Sequence, residues 1–416
     1  MREYRSSSPA AWSRFFSLSG IAIVLLLFGL SGGLSGCKGF FVPQGGGSGG
    51  TTTVGDNFYV ANGSNTYLAG FSISSTGALA VLPSAPYNNG VAATSLAITP
   101  DNNYMYVATS NGIYEYAISS NGSIAVQNNG EPLAQDVIAT ALNVDSTGNY
   151  LLAAGLATTT GTPGIGIYQI GSGGVITAET GSPLALYSGP ASSTPSATLA
   201  TGMLITPNNA YVYVSLGNLG VQVLTLGSGG ALSTGNAPTI LPPFSKSSSP
   251  SDYGLASDPN SKYLFVSELN TGLRVLSIGT GGSLNEISGS PYATGTGPKA
   301  VTVDPTGSYV YVMNYGSNNI TGYSLNATSG QLTAISGSPF ASGGQAPLAM
   351  VSDNTKKYMA VINSGNNGSS GNNDLQTFSY STTTPGALVA GATATTGTDP
   401  TNPQAVVATF ASTPAT

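Results

Sequence analysis

Histidine is missing from all 416 residues, and cysteine and tryptophan occur once each. Without imidazole and with one thiol, transition-metal centres built on His or Cys are excluded, as is any hydrolytic triad that needs an imidazole base. A single cysteine also leaves no intrachain disulfide. Charge is scarce: only 6% of residues are Asp, Glu, Lys or Arg, with ten cations against sixteen carboxylates. A nucleic-acid partner requires a basic stripe, and none exists here. The Leu/Glu/Lys/Ala periods of amphipathic helices are missing too. What remains is 57 Gly and 22 Tyr among many Ser, Thr, Asn and Val. Gly, Asn and Ser supply tight turns, while Tyr, Val and Thr favour strands, so the chain reads as all-β.

The N-terminus departs from this composition. Arg2, Arg5 and Arg14 precede the apolar run Ile21–Leu30 (IAIVLLLFGL), which small residues follow up to Leu34-Ser35-Gly36-Cys37. A basic segment, a short apolar segment and small residues make an export signal, and about ten apolar residues are too few to span a bilayer. The LSGC end resembles the bacterial lipobox, which makes residues 1–36 a lipoprotein signal peptide and Cys37 the lipidated first residue. Lys38 in place of Asp matches sorting to the outer membrane. Residues 37–55 (CKGFFVPQGGGSGGTTTVG) then read as a flexible tether, and residues 411–416 as a disordered tail. Removing Arg2, Arg5, Arg14 and Glu3 with the signal leaves seven of the ten cations and fifteen of the sixteen carboxylates, with Arg274 the only arginine.

Residues 56–410 repeat. An aromatic or apolar run recurs as Phe58-Tyr59-Val60, Tyr104–Val107, Tyr150–Ala153, Tyr211–Val214, Tyr263–Val266, Tyr309–Val312 and Tyr358–Val361. The last residues of these runs are 47, 46, 61, 52, 46 and 49 apart, periods that signal a propeller or a solenoid. In the cleanest copy, Ala300–Val303 is a small-residue strand, Asp304-Pro305-Thr306-Gly307 a turn, and Tyr309–Asn314 a strand buried on both faces. Ile320–Leu325 and Leu332–Ser336 complete the unit, and Gly337-Ser338-Pro339 closes it. Four strands per unit predict seven propeller blades. Blade one lacks an inner strand at Phe58, and the chain ends with Pro403-Gln404-Ala405-Val406-Val407-Ala408, a match to Pro298–Val303. The C-terminal strand is therefore predicted to complete blade one and close the ring. The longest spacing comes from an insertion, Ser188–Thr198; a second, Asn363–Asp374, lies between two strands of the last blade.

Units such as VDPTGSYVYVMNYGSNNITGY (Val303–Tyr323) resemble the YVTN-type repeats of the seven-bladed lactonase family, whose named activity is hydrolysis of 6-phosphogluconolactone. The resemblance covers about residues 56–410. In the enzymes of that family the inner strands commonly begin Pro-Arg-His, which implies a cation and an imidazole at the funnel of the ring. Here the corresponding triplets are Pro298-Lys299-Ala300, Ala93-Thr94-Ser95, Ala139-Thr140-Ala141, Ala200-Thr201-Gly202, Asp252-Tyr253-Gly254, Ala346-Pro347-Leu348 and Pro403-Gln404-Ala405. One Lys is the only cation among them. Lactone hydrolysis needs a base for water and a cation or donor array for the developing oxyanion, and a sugar phosphate would need a cationic cluster.

The leading expectation is therefore an exported, lipid-anchored, monomeric platform of the cell envelope, without cofactor, metal or catalysis. It would hold a protein, glycan or small ligand at the funnel. The alternative is a lactone hydrolase in which Lys299 and Arg274 steady the anion and Glu268 activates water; a third reading is a structural surface-layer component. Glu268 and Arg274 flank the turn Asn270-Thr271-Gly272, close enough to pair across a hairpin. Tyr253 and Tyr315 fall outside the repeating tyrosines and are candidate ligand-binding residues, whereas Tyr104, Tyr211, Tyr263 and Tyr309 are expected in the core. Asp101, Asp145, Asp258 and Asp304 recur at the turn after the inner strand, where Asp ordinarily accepts backbone N–H groups. Gly46-Gly47-Ser48-Gly49-Gly50 fits G-x-S-x-G only formally, with no strand before it and no helix after it.

Overall fold

The computed structural model describes residues 56–62, 66–187, 200–234, 239–242, 254–364, 374–394 and 403–408. They form seven antiparallel sheets of the same plan. Blade six shows it: Pro298–Val303 is innermost, Tyr309–Asn314 second, Asn319–Leu325 third and Leu332–Ala334 outermost. The outer edge then breaks at Gly337-Ser338-Pro339 and resumes as Phe340–Ala341 on the same third strand. At the break the Ser338 hydroxyl accepts the Gly322 N–H at 2.9 Å, so a side chain supplies the missing rung. Ser182 and Ser290 do the same for Ile167 and Val275, each at 3.0 Å.

The inner strands of neighbouring blades touch in an unbroken cycle. The strand Pro403–Ala408 is the inner strand of blade one, paired Phe58↔Ala408, Tyr59↔Val407, Val60↔Val406 and Ala61↔Ala405. The sequence expectation for closure is met, and blade one presents no open inner edge.

The apolar cores lie between the blades. One cluster joins blades six, seven and one through Phe58, Val60, Met313, Val361 and Val406; the others fill the remaining seams. The tyrosines divide into two kinds. Tyr59, Tyr106, Tyr213 and Tyr311 are fully buried, while Tyr104, Tyr211 and Tyr309, expected in the core, are only half-buried at the seams. The Tyr311 hydroxyl donates to the Gly386 carbonyl of blade seven at 2.7 Å; Tyr59 and Tyr106 reach Gly122 and Gly174 of the following blades in the same way. Gly386 has φ +77°, and a Cβ there would stand 2.3 Å from the Tyr309 ring. Only glycine satisfies both the left-handed backbone and that contact. The repeated tyrosine and the repeated turn glycine are thus two halves of one seam.

The recurrent aspartates build the turn from inner to second strand. Asp304 Oδ1 accepts the N–H groups of Ser308 and Tyr309 at 2.7 and 2.6 Å, and its Oδ2 accepts the Thr306 N–H at 3.0 Å. Asp145, Asp258 and Asp353 repeat the arrangement. In blades two and four Thr99 and Thr206 take the place, accepting from Tyr104 and Tyr211. Among the described residues no three His, Cys, Asp or Glu side chains gather where a metal ion could be held.

Candidate functional site

The end of the ring opposite those aspartate turns is where each inner strand begins. Five blades slip register there, so that Gln404, Thr94, Thr140, Lys299 and Leu348 each stand as an extra residue against the second strand. A bulge of this kind re-aims a side chain at a strand end. For blade seven the structure corrects the sequence alignment by one residue. Pro347-Leu348-Ala349, not Ala346-Pro347-Leu348, matches Pro298-Lys299-Ala300, because Pro347 pairs with Asn363 as Pro298 pairs with Asn314.

Two of these positions, Thr94 and Thr140, bind neighbouring blades to one another. The Thr94 hydroxyl donates to the Ala139 carbonyl at 2.8 Å, and Thr140 donates to Ala200. In blade six the position carries Lys299, which is buried, with Nζ 4.3 Å from the centroid of the Tyr315 ring. Tyr315 is held by its N–H to the Gly297 carbonyl at 2.9 Å. The cation is thereby laid on an aromatic face, a contact of about 0.5–2 kcal/mol depending on desolvation. Beside Tyr315, Asn314 donates to Asn319 Oδ1 and Thr321 Oγ1, each at 2.8 Å, while its own buried Oδ1 has no hydrogen-bond partner.

Glu268 and Arg274 lie at the same end but farther from the axis, on the second and third strands of blade five. They pair as the hairpin predicts, with Nη1 to Oε1 at 3.0 Å, and both side chains are buried. Sequence reading missed the other partners. Glu286 on the outer strand accepts Nε and Nη2 at 3.1 and 2.9 Å, and the Pro242 carbonyl of blade four accepts Nη1 at 3.0 Å. Burial alone would lower the Arg274 pKa and raise that of Glu286. Their mutual hydrogen bonds reverse both, holding the guanidinium above its ordinary value and the Glu286 carboxyl below its own, with help from the Ser290 hydroxyl at 2.7 Å. Arg274 thus serves as the centre of a two-carboxylate clasp between blades. Tyr253 and Cys37 lie outside the described residues.

A further carboxylate escaped the sequence reading. Glu115, on the third strand of blade two, is 2% exposed and its Oε1 has no hydrogen-bond partner. It faces the Gly174 turn of blade three, where a Cβ would come within 2.2 Å of that oxygen and 2.6 Å of Tyr104. Burial pushes its carboxyl up to about 7. The unfolded chain releases this proton near the ordinary value of about 4.3. The native state therefore holds the proton more tightly, and stability is greatest below that ordinary value and is lost as pH rises through 7. The loss is on the order of 3 kcal/mol, since each tenfold gain in proton affinity is worth about 1.4 kcal/mol. Glu115→Gln should therefore raise the melting temperature at pH 8 by several degrees and change little at pH 4.5. A gain of equal size at both values would show that ionisation is not the cause.

The profile of the family described as lactonase, seven-bladed β-propeller, matches residues 58–371. Among solved structures, a candidate 6-phosphogluconolactonase from Bacteroides fragilis superposes with TM-score 0.65 at 16% identity, over 87% of this chain and 99% of that one. The periplasmic gluconolactonase of Pseudomonas aeruginosa gives 0.64 at 15% identity, over 85% and 99%. At these identities the likeness is one of fold. No curated protein matches in sequence. With its sequence profile, seven blades and ring closure in agreement, the chain belongs to the lactonase family of seven-bladed β-propellers.

Proposed function

We propose that this propeller is an exported, lipid-anchored binding platform that holds a ligand at the end of the ring where the inner strands begin, without hydrolysing it. The observation that carries this reading is the commitment of the cations at that end. Arg274 sits between two carboxylates and a carbonyl, Lys299 lies on Tyr315, and the chain holds no imidazole to serve as base. Glu268 is buried with an oxygen committed to the Arg274 guanidinium at 3.0 Å, a structural contact between neighbouring strands. The basic and apolar N-terminus ending at Cys37 supports a place in the cell envelope. Fractionation tests that: Cys37→Ala should leave the membrane fraction, and retention there would count against the anchor.

The second reading, lactone hydrolysis, draws support from the family and from the names of its structural relatives. The deciding assay is turnover of 6-phosphogluconolactone and of unphosphorylated aldonolactones by the full chain and by Lys299→Ala. Platform function predicts that both proteins match the buffer rate. Turnover above background that Lys299→Ala abolishes would make the protein a lactonase with its site at the ring mouth.

A further inference from the structure

We propose that the turn Ser172–Gly174 of blade three is a pH-operated latch over Glu115, closed while the carboxyl is protonated and lifted when it ionises. The seam between blades two and three then opens locally, with the ring still folded. The turn joins the third and outer strands of blade three, Pro163–Ile170 and Ile176–Ala178. Two backbone bonds close it, Gly171 N–H to Val175 O at 2.8 Å and Gly174 N–H to Gly171 O at 3.2 Å. Gly171, Ser172 and Gly173 are exposed, whereas Gly174 is buried against the Glu115 carboxyl. On that side a single turn of backbone separates the carboxyl from solvent. The Tyr104 ring lies against the turn, and the Tyr106 hydroxyl donates to the Gly174 carbonyl at 2.6 Å.

The seam between blades four and five is the apolar twin of this arrangement. Its turn, Thr280–Gly282, lies against Tyr211 and Val223; a Cβ on Gly282 would stand 2.8 Å from Val223 Cγ1 and 2.9 Å from the Tyr211 ring. Tyr213 donates to the Gly282 carbonyl at 3.2 Å, as Tyr106 does to Gly174. Val223 pairs with Tyr213 as Glu115 pairs with Tyr106. In the other blades this position holds Gly70, Ile167, Val275, Gly322 and Thr377. Blade two alone places a carboxyl there. The fold does not need it, since a valine fills the same space in blade four.

Nothing around Glu115 accommodates its charge. Among the described residues the ion pairs are those of Arg274, so no cation meets this carboxyl. From the second strand it faces the phenols of Tyr104 and Tyr106, with Asp101 at the turn before them. Burial keeps Tyr106 protonated, and its hydroxyl hydrogen is already given to Gly174. The latch turn and the outer strand Ile124–Val126 bring no titratable group. Tyr168 shares the seam and donates to Asp136. A buried carboxylate without a donor must reach water. The shortest path is through the turn, which one side-chain hydrogen bond ties to blade two, whereas the other walls are hydrogen-bonded strands.

Amide hydrogen exchange by mass spectrometry tests this on the full chain and on Glu115→Gln across the pH range. Comparing the two proteins at each pH cancels the pH dependence of the exchange chemistry. The ratio of parent to variant exchange at residues 171–175 should climb about tenfold per pH unit above the ordinary carboxyl value of about 4.3. It should level off near pH 7, the value to which burial raises the group. Residues 279–283, the twin turn, should keep a constant ratio throughout. Glu115→Val, which copies the twin seam, should show the same flat profile as Glu115→Gln when set against it. A constant ratio at residues 171–175 would overturn the latch. An equal climb at both turns would overturn it too, because the opening would then be that of the whole ring.

Discussion

Replacing Arg274 by methionine should destabilise the protein by about 3–5 kcal/mol at pH 7, one of the largest single-residue effects in the chain. The cause is what the substitution leaves behind. The Arg274 and Glu268 side chains are 5% and 3% exposed, so Glu268 would remain buried without its cation. Glu286, at 27% exposure, can turn to water and keeps the Ser290 hydroxyl. Its loss of partner therefore costs less. The double variant Arg274→Met/Glu268→Leu should recover most of the stability, because removing both charges removes the desolvation penalty along with the attraction.

The pH dependence carries a sign that separates this account from simple loss of packing. Glu286 has a lowered pKa in the native state. Its contribution is complete above the ordinary carboxylate value and is lost as pH falls through the lowered one. The parent thus weakens in acid, while Arg274→Met, with no guanidinium to hold Glu286 ionised, lacks most of that contribution at every pH. The stability gap between the two should shrink steadily from pH 7 to about pH 4. Chemical denaturation of both proteins across that range is the measurement. A gap that stays constant, or a double variant no better than the single, would assign the effect to the guanidinium's packing alone.

Much of the ring was legible because each blade repeats one set of local solutions. The buried tyrosines of the second strand (Tyr59, Tyr106, Tyr213 and Tyr311), Asp or Thr at the preceding turn and Ser before Pro at the outer break recur at fixed offsets, and each of these sets repeats one hydrogen bond. The misplaced register of blade seven has a local cause. Ala346 adopts φ +55° where blade six has Gly297 at φ +64°. An alanine in a glycine's position hid the correspondence that Pro298 and Pro347 otherwise mark. The pair Glu268–Arg274 was legible because one tight turn sets it, with Val266 opposite Arg274 and Glu268 opposite Gly272. Glu286 lies across a second hairpin and Pro242 in the adjoining blade, so no short spacing announces either. Glu115 stood in a strand among alternating tyrosines, and nothing in its neighbours signals that the facing surface is a glycine turn with no cation.

A chain ending at residue 402 should fail to form the cooperative native ring. The missing segment supplies Ala405, Val406, Val407 and Ala408, at 1%, 0%, 4% and 8% exposure. Two buried valines alone are worth roughly 3–6 kcal/mol, at about 1.5–3 kcal/mol each, against a total stability of about 5–15 kcal/mol for a typical domain. The loss does not stop at the strand itself. Phe58, Tyr59 and Val60 on the second strand would lose their pairing partners, and the inner strands of blades two and seven would each lose a neighbour. The cluster that joins blades six, seven and one would lose Val406 beside Phe58 and Val60. Because the closing strand comes from the opposite end of the sequence, opening this seam converts a cycle of mutually supported blades into an open arc with two free faces. Cooperativity should then fall along with stability. Thermal unfolding followed by circular dichroism should show a broad, low transition in place of a sharp one, with a hydrophobic dye binding at room temperature. Val406→Asp, which buries a charge at the same seam while keeping the strand, should fall between the parent and the truncated chain. A truncated protein that melts as sharply and as high as the parent would mean that six blades and a fraction already form the stable unit, and that the seventh closes over them without holding them.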